Sequence, residues 1–392
     1  MKVNIEVHGL CTEILRGIPY YTINLVEALV KRGNNDYAIS FYDYLKERNN
    51  RKYIDNYISE QCLKSLDILE CNSLSYRAIL DGNMSEGIAA YARLPYNEYF
   101  GARCDVYHFP SVHNVPQNIV SKTIVTVHDI IPVIPEFTDG WNVKENKQFE
   151  TSLRFVKDRE DIEIIADSFS TKRDLVERGN FSENRIHVVP LAYDTKTHYI
   201  EKDNKILKEM GIEGPFIAYL GVLDFRKGIV DILDAFEIIK EKNKDIKLVL
   251  AGRLDKAVTP IWDRLKDYKY IDDVILTGFV SERQKRVLLS SAEVFLFPSE
   301  YEGFGLPVLE AMACGAPVIT TNVSSLPEVG GDAAVYVTPK KPEELAAAIE
   351  RLLDSETLRY DYIKKGFNQC KKFSWDKTAE MTEKVYDNAI NK

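Results

Sequence analysis

Residues 294–319 read VFLFPSEYEGFGLPVLEAMACGAPVI. The stretch begins with an apolar run, continues through a loop that contains two glycines, and ends in a short helical pattern. Pro307 stands where a helix would begin, since proline suits the first turn, and Gly315 followed by Pro317 would end that helix. A strand followed by a loop and a helix is the repeating unit of α/β folds.

The same alternation of strand and helix recurs along both halves of the chain. Several apolar runs lack the alternation of a half-buried strand, as expected where helices cover both faces of a parallel sheet. The pattern predicts an α/β protein with two Rossmann-like doubly wound domains. Strands are predicted at 3–9, 37–42, 105–109, 122–127, 162–167, 186–189, 216–221, 246–252, 274–278 and 294–298.

Helices are predicted between these strands and at the end of the chain. One begins after Gly17 and ends at Gly33, with apolar residues at helical spacing. Ser281 and Gln284 predict a capping box, and Pro342 is expected at a first helical position. Residues 342–392 read as two or three helices, whereas residues 45–100 are polar, tyrosine-rich and hard to place, and we expect them to be helical in part. The apolar positions of the first helix are Ile23, Val26, Leu29 and Val30.

Composition and charge narrow the classes of function. The 392 residues suit about two domains, and the net charge of −9 leaves no basic platform for nucleic acid. The six cysteines form no C-x-x-C pair, so neither a zinc site nor a disulfide framework is predicted. No apolar run is long enough to span a membrane, and the N-terminus lacks a signal-peptide pattern. We therefore expect a cytoplasmic protein.

The loop and helix of residues 299–313 carry the strongest functional pattern. Gly303 and Gly305 leave backbone N–H groups uncovered, and the helix start adds further donors and a positive dipole end, which suits phosphate or sugar hydroxyls. Glu302 would accept hydrogen bonds from a sugar, and Glu310, one turn into the helix, would reach a ribose diol. The alternative is a glycine-rich connection with two solvated glutamates.

Two further segments place polar residues directly after strands, where ligands bind in parallel sheets. In GVLDFRKGI (221–229), Arg226 and Lys227 would neutralise a diphosphate; the alternative is a solvated basic pair. In TIVTVHDIIPVIPE (123–136), His128 would hydrogen-bond a sugar or a phosphate oxygen, while Asp129 fixes the loop. A structural role is the alternative for His128.

Matched in order and spacing, these segments resemble glycosyltransferase family four, the group 1 retaining enzymes with the GT-B fold. The resemblance is strongest from 216 to 375, where LTGFVSE, SSLPEVGGDAAVYV and the terminal FSW join the segments already quoted. The first half matches through YHFP (107–110), ADSFSTKRDL and VVPLAYD.

The resemblance implies a role for each candidate residue. Arg226 and Lys227 would hold the donor diphosphate, Glu310 the ribose, and His128 would touch the donor sugar. Glu302 would hold the donor sugar with the backbone of Phe304, Gly305 and Leu306. One departure concerns the first loop, where many members carry a Gly-Gly pair. Here the segment reads Arg16-Gly17-Ile18-Pro19, so Gly17 alone would approach the phosphate, and Pro19 lacks an N–H.

The resemblance also implies the domain organisation and the reaction. Residues 1–195 would form the acceptor-side domain and 196–375 the nucleotide-sugar domain, with the donor pocket between them. Residues 376–392 would form a helix that packs back on the first domain. We predict a retaining hexosyltransferase that uses a UDP- or GDP-sugar and a hydroxyl acceptor in the synthesis of cell-surface polysaccharide, glycolipid or glycoprotein. The acceptor would be a sugar, a lipid-linked glycan or a protein. No D-x-D occurs, so neither a metal nor another cofactor is expected.

Three alternatives remain open from the sequence. A non-hydrolysing nucleotide-sugar epimerase has the same architecture but needs no acceptor. A non-catalytic nucleotide-sugar-binding subunit would keep the fold without turnover. Peripheral contact with the inner face of the cell membrane is the third, since Lys46, Arg48, Arg51 and Lys52 cluster; the alternative there is a solvated helix face.

Overall fold

The chain folds into two compact units. In the computed structural model, the described residues are 1–13, 17–42, 50–71, 103–116, 119, 121–137, 143–242, 245–253 and 259–392. The first unit comprises Met1–Leu191 together with Trp375–Lys392, and the second comprises Ala192–Ser374. Each unit has its own parallel sheet and its own buried core. The predicted α/β class with two doubly wound sheets is confirmed.

The first unit is built on a seven-stranded parallel sheet with the order β3-β2-β1-β4-β5-β6-β7. Its central strands are buried on both faces, which explains their continuous apolar runs. Strand β3 lies in the polar region in which the sequence predicted no strand. The strands are β1 Lys2–Glu6, β2 Asp36–Tyr42, β3 Leu66–Cys71, β4 Val106–Phe109, β5 Lys122–Val127, β6 Ile162–Ala166 and β7 Ile186–Val188.

The buried face of helix α1 is offset from the apolar face that the sequence predicted. Ile23 and Val30 are only half-buried, whereas Tyr21 and Leu25 are buried with Val26 and Leu29. The offset arises because α1 packs against the last helix of the chain, while the Tyr21 hydroxyl lies 3.0 Å from Thr126 Oγ1 on strand β5. The helices of the first unit are α1 Gly17–Arg32, α2 Arg51–Tyr57, α3 Glu60–Leu63, α4 Val143–Asp158, α5 Phe169–Glu177 and α14 Trp375–Asn391.

The terminal helix α14 is fixed to the first unit by buried polar contacts. The Glu383 carboxylate accepts hydrogen bonds from Arg32 Nε at 2.9 Å, Asn34 Nδ2 at 2.9 Å and the Tyr37 hydroxyl at 2.9 Å. One turn further along, the Tyr386 hydroxyl lies 2.8 Å from Nδ1 of His108 on β4. The helix therefore completes the core of the unit that contains the start of the chain.

The second unit has a six-stranded parallel sheet with the order β10-β9-β8-β11-β12-β13. Its strands β12 and β13 were not predicted from the sequence. The strands are β8 Phe216–Leu220, β9 Lys247–Ala251, β10 Val274–Gly278, β11 Val294–Phe297, β12 Val318–Thr321 and β13 Ala334–Val337.

The helices of the second unit begin and end largely where the sequence predicted. The capping box of Ser281 and Gln284 is present, and Pro342 is the first residue of its helix. None of the helices in the described ranges has both the length and the apolarity to cross a bilayer. The helices are α6 Asn204–Glu209, α7 Ile229–Lys240, α8 Thr259–Lys266, α9 Glu282–Ser291, α10 Leu306–Ala313, α11 Leu326–Gly330, α12 Pro342–Leu353 and α13 Glu356–Cys370.

Candidate functional site

The loops that follow β8 and β11 interlock at the carboxyl end of the second sheet. The Arg226 carbonyl accepts hydrogen bonds from Glu300 N at 2.8 Å and from the Ser299 hydroxyl at 3.2 Å. Gly228 has φ +67°, and a Cβ there would lie 2.3 Å from the Pro298 carbonyl oxygen. Only glycine fits such a contact, so this residue lets the two loops meet.

This contact brings the predicted cations and the loop glutamate together. Lys227 Nζ donates a hydrogen bond to Glu302 Oε1, and the two side chains are only 16% and 13% exposed. Arg226 is buried beside Asp224, with Nη2 3.6 Å from Oδ2. Residues that lie 75 positions apart in the sequence thus form one cluster of opposite charges.

Two serines that the sequence analysis did not single out shape the 302–305 loop. Ser324 Oγ accepts a hydrogen bond from Glu302 N at 3.0 Å. The Ser325 hydroxyl lies 2.9 Å from the Glu302 carbonyl oxygen and 2.7 Å from that of Phe304. Both serines belong to the SSLPEVGG segment of the family resemblance, so a signal was present. The role of the two serines could not be assigned from the sequence, because that role depends on which loops the folded sheet brings together.

The start of α10 is arranged to bind an anion. Gly305 precedes the helix with φ +110°, a conformation that favours glycine, and no side chain caps the helix. Pro307 has no N–H, and Val308 N donates to the Gly305 carbonyl at 3.0 Å, so the start of α10 offers the Leu306 N–H and the positive end of the helix dipole. Phe304 anchors the loop through an edge contact with Phe373, with ring centroids 5.9 Å apart.

Glu310 lies on α10 and is held by two residues that the sequence analysis missed. Its Oε1 lies 3.2 Å from Lys285 Nζ and 3.4 Å from His198 Nε2. Burial would raise the pKa of the Glu310 carboxyl, but the Lys285 ammonium and the neighbouring His198 outweigh it and hold that pKa low. Glu310 is therefore an ionised, nearly buried carboxylate.

His128 lies in the first unit, just after β5. Its Nδ1 is 2.6 Å from Asp167 Oδ2, and its Nε2 is 2.9 Å from the Pro110 carbonyl oxygen. Both partners accept hydrogen bonds, so the contacts favour a ring that donates from both nitrogens, which is the imidazolium form. Burial opposes this charge, but Asp167 and the Pro110 carbonyl outweigh it and raise the pKa of His128. Asp129 Oδ1 accepts a hydrogen bond from Ile131 N at 2.9 Å, as expected for a residue that fixes the loop.

A pocket of about 150 Å³ lies within the first unit beside His128. It is lined in part by Phe149, His113, Asp129 and Ile18. Gly17, which precedes Ile18, begins α1, and a Cβ at Gly17 would meet no atom within 4 Å. Over the described residues, no group of His, Cys, Asp and Glu side chains could hold a metal ion.

Comparisons with known proteins agree on the class of enzyme. Residues 202–369 match the family model described as glycosyl transferases group 1. The O-antigen chain mannosyltransferase B of Escherichia coli is 29% identical over 305 residues, 76% of each chain. An MMP alpha-(1->4)-mannosyltransferase of Mycolicibacterium hassiacum is 32% identical over 238 residues, 58% of this chain and 54% of the relative.

Solved structures establish the fold. A sucrose-phosphate synthase from Thermosynechococcus elongatus superposes with a TM-score of 0.74 at 21% identity, covering 99% of this chain and 98% of that one. The Anabaena protein HepE in complex with UDP and glucose gives a TM-score of 0.71 at 14% identity, covering 99% of each chain.

Together these observations place the chain among enzymes of the GT-B fold. Residues 202–369 match the group 1 glycosyltransferases, and the chain is similar to enzymes of that class over most of its length, in agreement with the predicted resemblance to family four.

Proposed function

We propose that this glycosyltransferase moves a hexose from a nucleoside diphosphate to a hydroxyl group of a growing glycan, with retention at the anomeric carbon and without a metal ion. Mannose is the first sugar to test, because several relatives are named as mannosyltransferases. The contact between Lys227 and Glu302 beside the start of α10 is the observation that carries the proposal.

The cluster offers charges of the kind that a sugar diphosphate requires. Arg226, Lys227 and the N–H groups at the start of α10 would neutralise the diphosphate as negative charge grows on it when the glycosidic bond breaks. Cations and backbone donors would thus replace a metal ion. This supports metal-independent transfer.

The ion pair also suggests how the donor would be accommodated. When a diphosphate binds to Lys227, it would replace Glu302 as the partner of the ammonium group. Glu302 would then be released to accept hydrogen bonds from the hydroxyls of the donor sugar. One contact between two loops would therefore prepare two donor-binding groups.

Retention follows from the family resemblance, with the acceptor hydroxyl attacking from the face that the diphosphate leaves. The enzyme would contribute position and charge rather than a pair of acid and base carboxylates. The pocket beside His128 suits an acceptor sugar ring, since Phe149 offers an apolar face and Asp129 a polar one. Together with the relatives' names, this favours a sugar acceptor over a protein side chain.

A donor screen tests the proposal. Purified protein is mixed with GDP-mannose, UDP-glucose and related donors, and thermal stability and release of nucleotide are followed with and without excess chelator. A ligand at a hundredfold excess over its Kd should stabilise the protein by about 2.7 kcal/mol. We expect one donor to stabilise the chain and to be slowly hydrolysed regardless of chelator.

The products then test the finer statements. With an oligosaccharide acceptor, NMR of the new anomeric centre should show the configuration of the donor. An inverted product, or activity lost in chelator, would contradict retention or metal independence. An epimerised sugar formed from the donor alone would identify an epimerase instead.

A further inference from the structure

The Glu310 carboxylate is held on one oxygen only. Lys285, in the first turn of α9, and His198, in the segment before α6, both approach Oε1, at 3.2 Å and 3.4 Å. Among the described residues, no hydrogen bond reaches Oε2, and this oxygen is not one of the buried polar atoms that lack a partner. The side chain is 10% exposed, so Oε2 is the oxygen that remains open to solvent or to a ligand.

Lys285 is a buried ammonium committed to this carboxylate. Its side chain is 12% exposed, and its other partner, Glu282 at 3.0 Å, is largely in solvent. Burial would lower the pKa of Lys285, but Glu310 and Glu282 outweigh it and raise that pKa. Both members of the Lys285–Glu310 pair are therefore charged near neutral pH.

His198 approaches the same oxygen. Its side chain is completely buried, and Nδ1 lies 3.0 Å from the Thr197 hydroxyl and 3.2 Å from the Asp194 carbonyl oxygen. These contacts orient the ring so that Nε2 is directed at Glu310 and has no hydrogen-bond partner of its own among the described residues. Two largely buried side chains therefore contact Oε1 of the same carboxylate, and neither contacts Oε2.

We propose that Lys285 and His198 are positioning residues that turn Glu310 Oε2 toward the two ribose hydroxyls of the donor. The inference rests on the proposed use of a nucleoside diphosphate. It adds a role for the cluster of Lys285, His198 and Glu310. This cluster would select ribonucleotides over nucleotides that lack both ribose hydroxyls. A carboxylate fixed in advance loses less freedom when the diol binds, and so it discriminates more strongly.

The test is the ratio of two dissociation constants in the full chain. Calorimetry measures the Kd of GDP and UDP and of their 2′,3′-dideoxy counterparts for wild type, Lys285→Met, Lys285→Arg and His198→Phe. In the wild type, the ribonucleotide should bind about 10-fold to 100-fold more tightly, the range given by hydrogen bonds to a charged group. Lys285→Met should reduce this ratio to about threefold or less, and Lys285→Arg should restore most of it.

His198→Phe keeps the ring volume and the Lys285–Glu310 pair, so it guards against a result caused by poor folding of Lys285→Met. We expect an intermediate ratio for it. Arg283→Met is the matched control, because Arg283 lies on the same helix but pairs with Glu201 and Asp203. Its ratio should equal that of the wild type.

The outcomes separate the two proposals. A wild-type preference that survives in both Lys285→Met and His198→Phe overturns the positioning role and leaves the transferase proposal standing. Equal binding of ribo and dideoxy nucleotides by the wild type also overturns the inference alone. Failure of every nucleotide to bind overturns the proposed function and this inference with it.

Discussion

The two units hold their candidate polar residues in different ways. Those of the second unit follow β8 and β11, and those of the first unit lie on and after β4 and β5. In the second unit, Lys227 contacts Glu302, a single carboxylate that an anionic ligand can displace. In the first unit, His128 donates from both ring nitrogens to Asp167 and the Pro110 carbonyl. The contacts of His128 use both of its ring donors. The contact of Lys227 leaves its positive charge available to another anion.

This difference between Lys227 and His128 indicates which of the two residues would contact a ligand directly. Exchange of Glu302 for a diphosphate costs Lys227 little, because one anion replaces another. Contact of a sugar with His128 requires the ring to give up an existing acceptor. We therefore expect Lys227 to dominate donor binding and turnover, with His128 acting chiefly through the fixed positive charge that it places beside its pocket.

The Lys227→Ala variant should have the largest effect and tests whether Lys227 dominates donor binding and turnover. Turnover should fall by about 10²-fold to 10³-fold, the usual effect of removing one group that stabilises charge in a transition state. The measurement is kcat/KM for the donor, with the melting temperature recorded in parallel.

Lys242→Ala serves as the matched control. Lys242 also pairs with a glutamate, Glu350, but it is 72% exposed and lies away from the β8 and β11 loops. Its removal should leave kcat/KM unchanged. Near-normal turnover of Lys227→Ala would remove Lys227 from the site.

The fixed polar contacts of the first unit should show in stability rather than in turnover. Glu383→Leu leaves Arg32, Asn34 and Tyr37 without their shared acceptor and should cost about 3 kcal/mol of unfolding free energy, measured in urea. Glu380→Leu, one turn earlier on α14, breaks only an exposed pair with Lys384 and should cost less than about 1 kcal/mol. Equal losses in both variants would mean that α14 is not fixed by Glu383.

Two histidines of the first unit should give opposite pH dependences. Burial, with the nearby charge of His128, lowers the pKa of His108 to about 3, so the unfolded chain binds the extra proton below pH 6.5. Unfolding free energy should therefore fall by about 2 kcal/mol between pH 6.5 and 5. The pKa of His128 is raised, so its contribution is complete below pH 6.5 and is lost as pH climbs through the folded value.

Urea titrations at a series of pH values measure both effects. His108→Gln should flatten the acid side and His128→Gln the alkaline side, each relative to the wild type. A wild-type slope that neither variant changes would show that other groups govern it.

The smallest expected effect concerns Gly17. Its Cβ would meet open space at the first position of α1, so Gly17→Ala should raise unfolding free energy by up to about 1 kcal/mol. If a phosphate approaches this residue closely, donor affinity falls severalfold at the same time. We expect both results, from urea titration and calorimetry; unchanged affinity would remove Gly17 from the donor site.

The elements that the sequence predicted well are those with local signals. Pro342 and the pair of Ser281 and Gln284 mark helix starts by short-range hydrogen bonding and backbone preference, and both are confirmed. Strand β3 was missed because Leu66–Cys71 lies in a polar segment and becomes a strand by pairing with β2. The offset face of α1 depends on α14, more than 340 residues away.

The residues of the candidate site also divide into those with a local sequence signal and those without one. Arg226, Lys227 and Glu302 could be proposed because each follows a strand, and Glu310 because it lies about one turn into the helix after such a loop. Lys285 and His198 were missed because they lie on other elements, and only the packing of α9 against α10 brings Lys285 near Glu310. Partners supplied by tertiary packing leave no short-range signal in one sequence.

The position of α14 bears on how the chain is made. The first unit takes its last helix from Trp375–Lys392, whereas the second unit is one continuous segment. During synthesis, which proceeds at about 5–20 residues per second, the second unit can complete its core before the first, although the first began earlier. Until the middle of α14 is released, Arg32 and Tyr37 lack the Glu383 carboxylate as a hydrogen-bond acceptor. The first unit therefore starts to be synthesised before the second unit but becomes stable after it.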